Sequence, residues 1–179
     1  MDAYRDRLQT FVYASGTTMK PIFDAARNAA KKRVAYAEGE EERVLRAAQI
    51  VVDEKVARPP LIGRPAIIAQ RIEKFGLRLK EGVDYDVVNT DFDHRYRDFW
   101  QTYHRMTERK GITQQVAKIE MRRRLTLIGS MMLHKGEVDG LICGTWGTTA
   151  NHLMYIDQVI GKHAGGADST EQDVPVYAC

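Results

Sequence analysis

Cysteine is scarce in this chain, and its two cysteines, Cys143 and Cys179, show neither CxxC spacing nor a disulfide framework. That excludes a small stapled secreted fold and suits a reducing, cytoplasmic setting. Long hydrophobic runs are missing too, so no segment reads as a bilayer span and no membrane partner is expected. The opening "MDAYRDRLQTFVYASG" carries acids among its apolar residues, unlike a secretory signal. An excess of one charge is also absent. The 27 Lys and Arg against 24 Asp and Glu leave a net charge of +3, too mild for a nucleic-acid footprint. Among the five histidines, His94, His104, His134, His152 and His163, none makes a zinc pattern. Neither a P-loop nor GxGxxG occurs, and there is no internal repeat or low-complexity segment.

What is present is ordinary globular material. The 179 residues are 44% apolar and 28% charged, enough for one domain with its own core. Near the start, "DAYRDRLQTFVYA" places Tyr4, Leu8, Phe11 and Val12 on one helical stripe. After a break at Ser15-Gly16-Thr17, "TMKPIFDAARNAA" does the same with Met19, Ile22, Phe23 and Ala26. From Lys31 onward, strand-like and helix-like blocks alternate. Residues 31–39 read as a buried strand and residues 40–55 as a helix with acids in its first turn. A short strand lies around Leu61 and Ile62, and the next helix opens at Pro65 and closes at Gly76. Residues 85–90 form a third strand, and Asp91 or Asp93 caps the aromatic helix that ends at Gly111. A helix capped by Thr113 follows, in two pieces because the run Arg122, Arg123 and Arg124 interrupts its apolar stripe, and Gly136 closes it. "GLIC" is a fourth strand, a Gly-Thr loop leads into a helix ending at Ile160, and "VPVYAC" begins another strand. This alternation predicts an α/β fold, a three-layer parallel sheet with helices on both faces, preceded by N-terminal helices. Ligands of such sheets sit beyond the carboxyl ends of the strands. Those ends are Glu38-Gly39, Gly63-Arg64, Asn89-Thr90 and Cys143-Gly144-Thr145.

The loop "CGTWGTTANHL" offers backbone N–H groups and hydroxyls in front of a helix, which suits an anion. The same residues also make a routine strand-to-helix turn, and both readings stay open. The glutamates of "AEGEEERV" favour a helix start over metal ligation, although Glu38 ends a strand and is the most interesting of them. The Arg122–124 run reads as a solvated turn, an interface edge or a phosphate contact. Tyr96, Phe99, Trp100 and Tyr103 are helically spaced and predict core packing. Cys143 reads as a small buried residue, and His152 beside the loop as a polar contact rather than a base.

Four stretches in this order, "KRVAYAEGEEERVLRAAQIV", "RPPLIGRP", "ERKGITQQVA" and "HKGEVDGLICGT", resemble the N-terminal part of the phosphate acetyl/butyryl transferase (phosphotransacetylase) family. The resemblance is closest to the version fused behind bacterial NADP-dependent malic enzymes, and "RLQTFVYASGTTMKPIFDAARNAAKKRV" is similar to the connector that follows the malic-enzyme core. It implies a helical connector over residues 1–31 and, over residues 32–179, the N-terminal portion of a phosphotransacetylase-like domain. Its second domain and returning strands, with the family's principal catalytic serine and aspartate, lie outside these residues. The family carries an arginine on the helix after the Gly-Thr loop, where this chain has Met154. A second family arginine falls at Thr107, flanked by Arg105 and Arg109.

The resemblance therefore implies a regulatory, catalytically inactive domain of a hybrid NADP-dependent malic enzyme, with acetyl-CoA as its effector. The implied ligand-binding set is Gly144, Thr145, Thr148, Thr149, Asn151 and His152, with Arg105 and Arg109 as flanking cations; no catalytic or metal-binding residue is assigned. NADP and a divalent metal would belong to the malic-enzyme core, which is the expected partner, together with further copies of the chain. The alternatives are a working transferase of acyl groups between coenzyme A and phosphate, and a purely structural assembly module. The 179 residues alone are expected to be weakly stable or to self-associate.

Overall fold

The computed structural model describes residues 16–90 and 92–161. The stripe expected over residues 4–12, Asp91 and the expected strand in "VPVYAC" lie outside them.

Five short strands build one sheet: β1 (Lys32–Tyr36), β2 (Ala57–Arg58), β3 (Pro60–Gly63), β4 (Asp86–Asn89) and β5 (Gly140–Ile142). All of their pairings are parallel, as the alternation of blocks predicts. Strand β1 is central. β5 lies along one of its edges, from Val34↔Gly140 to Tyr36↔Ile142. β2 and β3 share the other in a single register, from Lys32↔Ala57 to Tyr36↔Leu61. Pro59 separates those two because it has no N–H for the ladder. β4 then pairs with β3 from Pro60↔Asp86 to Gly63↔Asn89.

The helices are α1 (Gly16–Asn28), α2 (Glu42–Asp53), α3 (Pro65–Lys74), α4 (Tyr96–Thr107), α5 (Gln114–Arg123), α6 (Leu125–His134) and α7 (Thr149–Val159). Local chemistry sets their ends. The Glu41 carboxylate accepts from the first-turn amides of Arg43 and Val44, at 2.6 and 3.3 Å, and so caps α2. Pro65 opens α3 and Gly76, at φ 64°, follows its end. Asp93 accepts from Arg95 N at 2.8 Å just ahead of α4. Thr113 caps α5 through Val116 N, and the chain breaks at Arg124 (ψ 97°) before α6 resumes, giving the two pieces expected.

Alternation along the strands divides the core into two layers. Ala35, Ile62 and Val88 pack with Phe99, Tyr103, Met121, Leu127 and Met131 under α4 to α7. Tyr36 and Leu61 pack with Leu45, Ile68 and Ile72 under α2 and α3, with Val87 at the edge of that layer. Helix α6 lies flush on the sheet, because a Cβ on Gly129 would fall 2.4 Å from Leu141 Cδ1. On the opposite face α1 is tied down by Arg27, whose Nε donates to Glu54 O at 3.1 Å and whose guanidinium pairs with the Glu54 carboxylate. No helix among the described residues is long and apolar enough to cross a membrane.

Candidate functional site

Parallel strands deliver their carboxyl ends to one edge, and there the chain leaves a cleft between α3 on one face of the sheet and the α5–α6 junction on the other. It has an inner cavity of about 190 Å³, lined by Thr126, Asn151, His152 and Tyr155 among others, and a mouth of about 440 Å³. Glu38, Arg123, Leu125 and Trp146 line both.

Glu38 follows β1 and is 7% exposed. Its Oε1 accepts from Gly144 N at 3.2 Å, which fastens the start of the Gly-Thr loop, where Gly144 takes φ 113°, to the end of the central strand. A buried carboxylate needs such a donor. His152 fixes the other end of the loop. Its Nε2 lies 2.5 Å from the Trp146 carbonyl oxygen and its Nδ1 lies 2.6 Å from Thr126 Oγ1. A carbonyl oxygen only accepts, so Nε2 carries the proton and Nδ1 accepts from the Thr126 hydroxyl. Both ring nitrogens are thereby occupied, and His152 is the polar contact that the sequence predicts, with no nitrogen left to serve as a base.

Cys143 is half-buried, beside the Thr126 hydroxyl. Burial, and after it the negative charge of Glu38, pushes its thiol above the ordinary value of 9.0. A thiol in that state is a weak nucleophile at neutral pH. Helix α7 is anchored to α5 by Tyr155, whose hydroxyl donates to Glu120 Oε2, the oxygen that also receives Arg124 Nε at 3.1 Å. Burial and the Glu120 contact push the Tyr155 phenol up to about 12.

The mouth is ringed by charges, most of them already engaged. Arg64 grips Glu40 with Nε and Nη2, each at 2.8 Å from a carboxylate oxygen, and its backbone N adds a third bond at 2.9 Å. Those bonds outweigh burial and hold the Glu40 carboxyl below the usual range. Arg71 Nη1 donates to the Glu40 carbonyl oxygen. Of the arginine run, Arg122 lies 4.8 Å from the centre of the Tyr96 ring and Arg124 pairs with Glu120. Arg123 extends into the cleft. Trp146 stands on its rim, 70% exposed.

The expected site residues divide. Asn151 and His152 line the inner cavity, and Gly144 is bound to Glu38. Thr148 caps α7 by accepting from Asn151 N at 3.4 Å, while Thr145 and Thr149 line neither cavity. Arg105 rests on α4, its Nη2 donating to Thr102 Oγ1 at 3.2 Å, and Arg109 lies exposed in the turn Glu108–Lys110; neither lines the cleft. Thr107 is fully buried, its hydroxyl donating to Tyr103 O at 2.7 Å. Met154 is 43% exposed and faces neither cavity. Sequence reasoning missed Thr126 and Arg71. Each stands in a helix with nothing nearby in sequence to mark it, and only the packing of α6 and α3 against the strand ends brings them here. Trp146 had a signal, a large apolar ring inside a Gly-Thr loop. Among the described residues no three of His, Cys, Asp and Glu gather as metal ligands.

Comparison with known proteins matches residues 17–170 to the family described as phosphate acetyl/butaryl transferase. The chain is 48% identical over 167 residues to an NAD-dependent malic enzyme of Rhizobium meliloti, covering 93% of this chain and 22% of that protein. It is 44% identical over 164 residues to an NADP-dependent malic enzyme of Salmonella typhimurium, covering 92% of this chain and again 22% of the relative. The chain thus spans well under two thirds of these relatives. In fold it is similar to a phosphotransacetylase from Streptococcus pyogenes, with a TM-score of 0.72 at 21% identity, over 84% of this chain and 45% of that one.

Proposed function

Because the chain belongs to the phosphate acetyl/butaryl transferase family, we propose that it is a regulatory, catalytically inactive phosphotransacetylase-like domain of a malic enzyme. In this reading residues 1–31 connect it to the malic-enzyme core, which oxidatively decarboxylates malate to pyruvate and carries the nicotinamide coenzyme and the metal. The cleft at the strand ends senses acetyl-CoA, and the domain also supports assembly into a cytoplasmic homo-oligomer. The coenzyme stays open between NAD and NADP, since similar relatives bear either name.

One observation carries the claim of inactivity. The two positions where the family resemblance asks for arginine hold Met154, which faces neither cavity, and Thr107, which is fully buried with its hydroxyl bound to its own helix. Neither binds an anion in the cleft, and the neighbouring Arg105 and Arg109 do not reach it. A transferase needs preorganised cations where phosphate charge develops, and these positions supply none.

The test uses the full-length protein. Acetyl-CoA should bind in titration calorimetry and change the rate of malate oxidation, while acetyl-CoA and phosphate yield no acetyl phosphate. Absence of binding would leave the assembly module as the better reading. Acetyl phosphate formation would establish a working acyltransferase instead, the second reading, favoured by arginines that do line the cleft, Arg71 and Arg123 among them.

A further inference from the structure

We propose that Arg71 and Arg123 form a two-sided clamp for a phosphate-type anion carried by the ligand of this cleft, with Trp146 as the stacking surface beside it. The inference rests on the reading that the cleft takes the effector, and it assigns the part of the site that holds the effector's phosphate groups to residues other than the Gly-Thr loop.

The charge balance of the mouth leads there. Arg71 projects from α3 and Arg123 from the end of α5, on opposite faces of the sheet, yet both line the same 440 Å³ cavity. Three carboxylates share that cavity, and two of them, Glu40 and Glu41, are already paired with cations other than Arg71 and Arg123. Glu40 is held by three bonds from Arg64. Glu41 is spent on the Arg43 side chain and on the first amides of α2. Glu38 accepts from Gly144 N. The cations are less satisfied. The Arg123 side chain makes no hydrogen bond, ion pair or ring contact among the described residues, although its neighbours Arg122 and Arg124 both do. Among the described residues Arg71 joins no ion pair; it donates to the neutral carbonyl of Glu40 and feels that residue's carboxylate only through space. Two guanidinium forks thus face one cavity with most of their donors unused.

A guanidinium is satisfied by two parallel bonds to an oxyanion. A carboxylate has oxygens for one such fork. A phosphate or diphosphate has enough, and enough charge, for forks on two walls. The volume is that of a ligand pocket rather than of a lone ion. Trp146, at 70% exposure, offers a ring face to a base attached to those phosphates. The chemistry is that of a nucleotide-type ligand, which coenzyme A satisfies.

Titration calorimetry of the full-length protein with pyrophosphate, coenzyme A and 3′-dephospho-coenzyme A tests the clamp. Arg123→Gln and Arg71→Gln should each weaken pyrophosphate and coenzyme A by about tenfold or more, as expected for charge-assisted bonds. Lysine at either position should recover part of the loss. Trp146→Ala should weaken coenzyme A and leave pyrophosphate unchanged. An equal loss for dephospho-coenzyme A assigns the clamp to the diphosphate, and a loss confined to coenzyme A assigns it to the 3′-phosphate. Since Arg123 holds nothing in place, its glutamine variant should melt at the wild-type temperature. Unchanged affinities in both glutamine variants overturn the clamp and leave effector binding standing. Arginine-dependent pyrophosphate binding without any binding of coenzyme A or acetyl-CoA supports the clamp and sinks the effector reading. Failure of the wild-type protein to bind pyrophosphate and coenzyme A overturns the clamp outright.

Discussion

Three consecutive arginines at the α5–α6 junction leave the chain in three directions. Arg122 covers the Tyr96 ring, Arg124 pairs with Glu120, and Arg123 faces the cleft. As a run they suggest one solvated patch. Helical rotation turns Arg122 away from Arg123, and the break at Arg124, where ψ is 97°, redirects the third. Cys143 shows residue-scale chemistry of another kind, because burial and Glu38 raise its thiol above 9.0 in the folded chain. A group whose folded pKa exceeds its unfolded one stabilises the fold at lower pH, and that contribution is lost as pH rises through the folded value. Urea midpoints should therefore decline as pH rises past the ordinary thiol value of 9.0. Cys143→Ser should flatten that decline; an identical slope in the variant would assign it to other groups. Thr126→Val removes the hydroxyl that His152 Nδ1 accepts from and leaves the loop tied at one end. It should cost about 1–2 kcal/mol in urea unfolding.

At the scale of elements, the site depends on how closely a strand end approaches its neighbour. Gly39 N donates to Ile62 O at 3.0 Å, and a Cβ on Gly39 would sit 2.9 Å from that oxygen and 2.9 Å from Leu61 Cβ. Backbone cannot swing aside as a side-chain tip does. Gly39→Ala should destabilise by about 1–3 kcal/mol in chemical denaturation. It should also displace Glu38, weakening any ligand of the cleft more than the stability loss alone explains. Helices α2, α3 and α5 announce themselves in sequence by caps and first-turn proline. The start of α4 differs in detail, since Arg95 occupies the cap position without a side-chain bond and Asp93 acts two residues earlier.

For the whole molecule, the sheet is the partition that both core layers share. Ile62 faces one layer and Leu61 the other, on a single four-residue strand. Truncating either side should therefore lower one common transition. Ile62→Val should cost about 0.5–1.5 kcal/mol, and Trp fluorescence and far-UV circular dichroism should still report coincident midpoints. Separate midpoints would mean that the layers unfold independently.

Much of this was legible in the sequence. The strands around residues 32–36, 60–63 and 86–89 follow from short apolar blocks between turn residues, and the helix ends follow from capping chemistry, because both depend on neighbours within a few positions. The family resemblance was legible for the same reason, since it rests on contiguous motifs. The assembly of the cleft was not. Thr126 meeting His152, Glu38 meeting Gly144 and Arg71 facing the same cavity as Arg123 join residues 26, 106 and 52 positions apart. Only the parallel crossovers, which carry every strand's carboxyl end to one edge, bring them together. The sequence by itself determined which elements form and to which family they belong. The tertiary structure decided which of its many charged groups were left unpaired, because pairing is settled by three-dimensional neighbours and not by order along the chain.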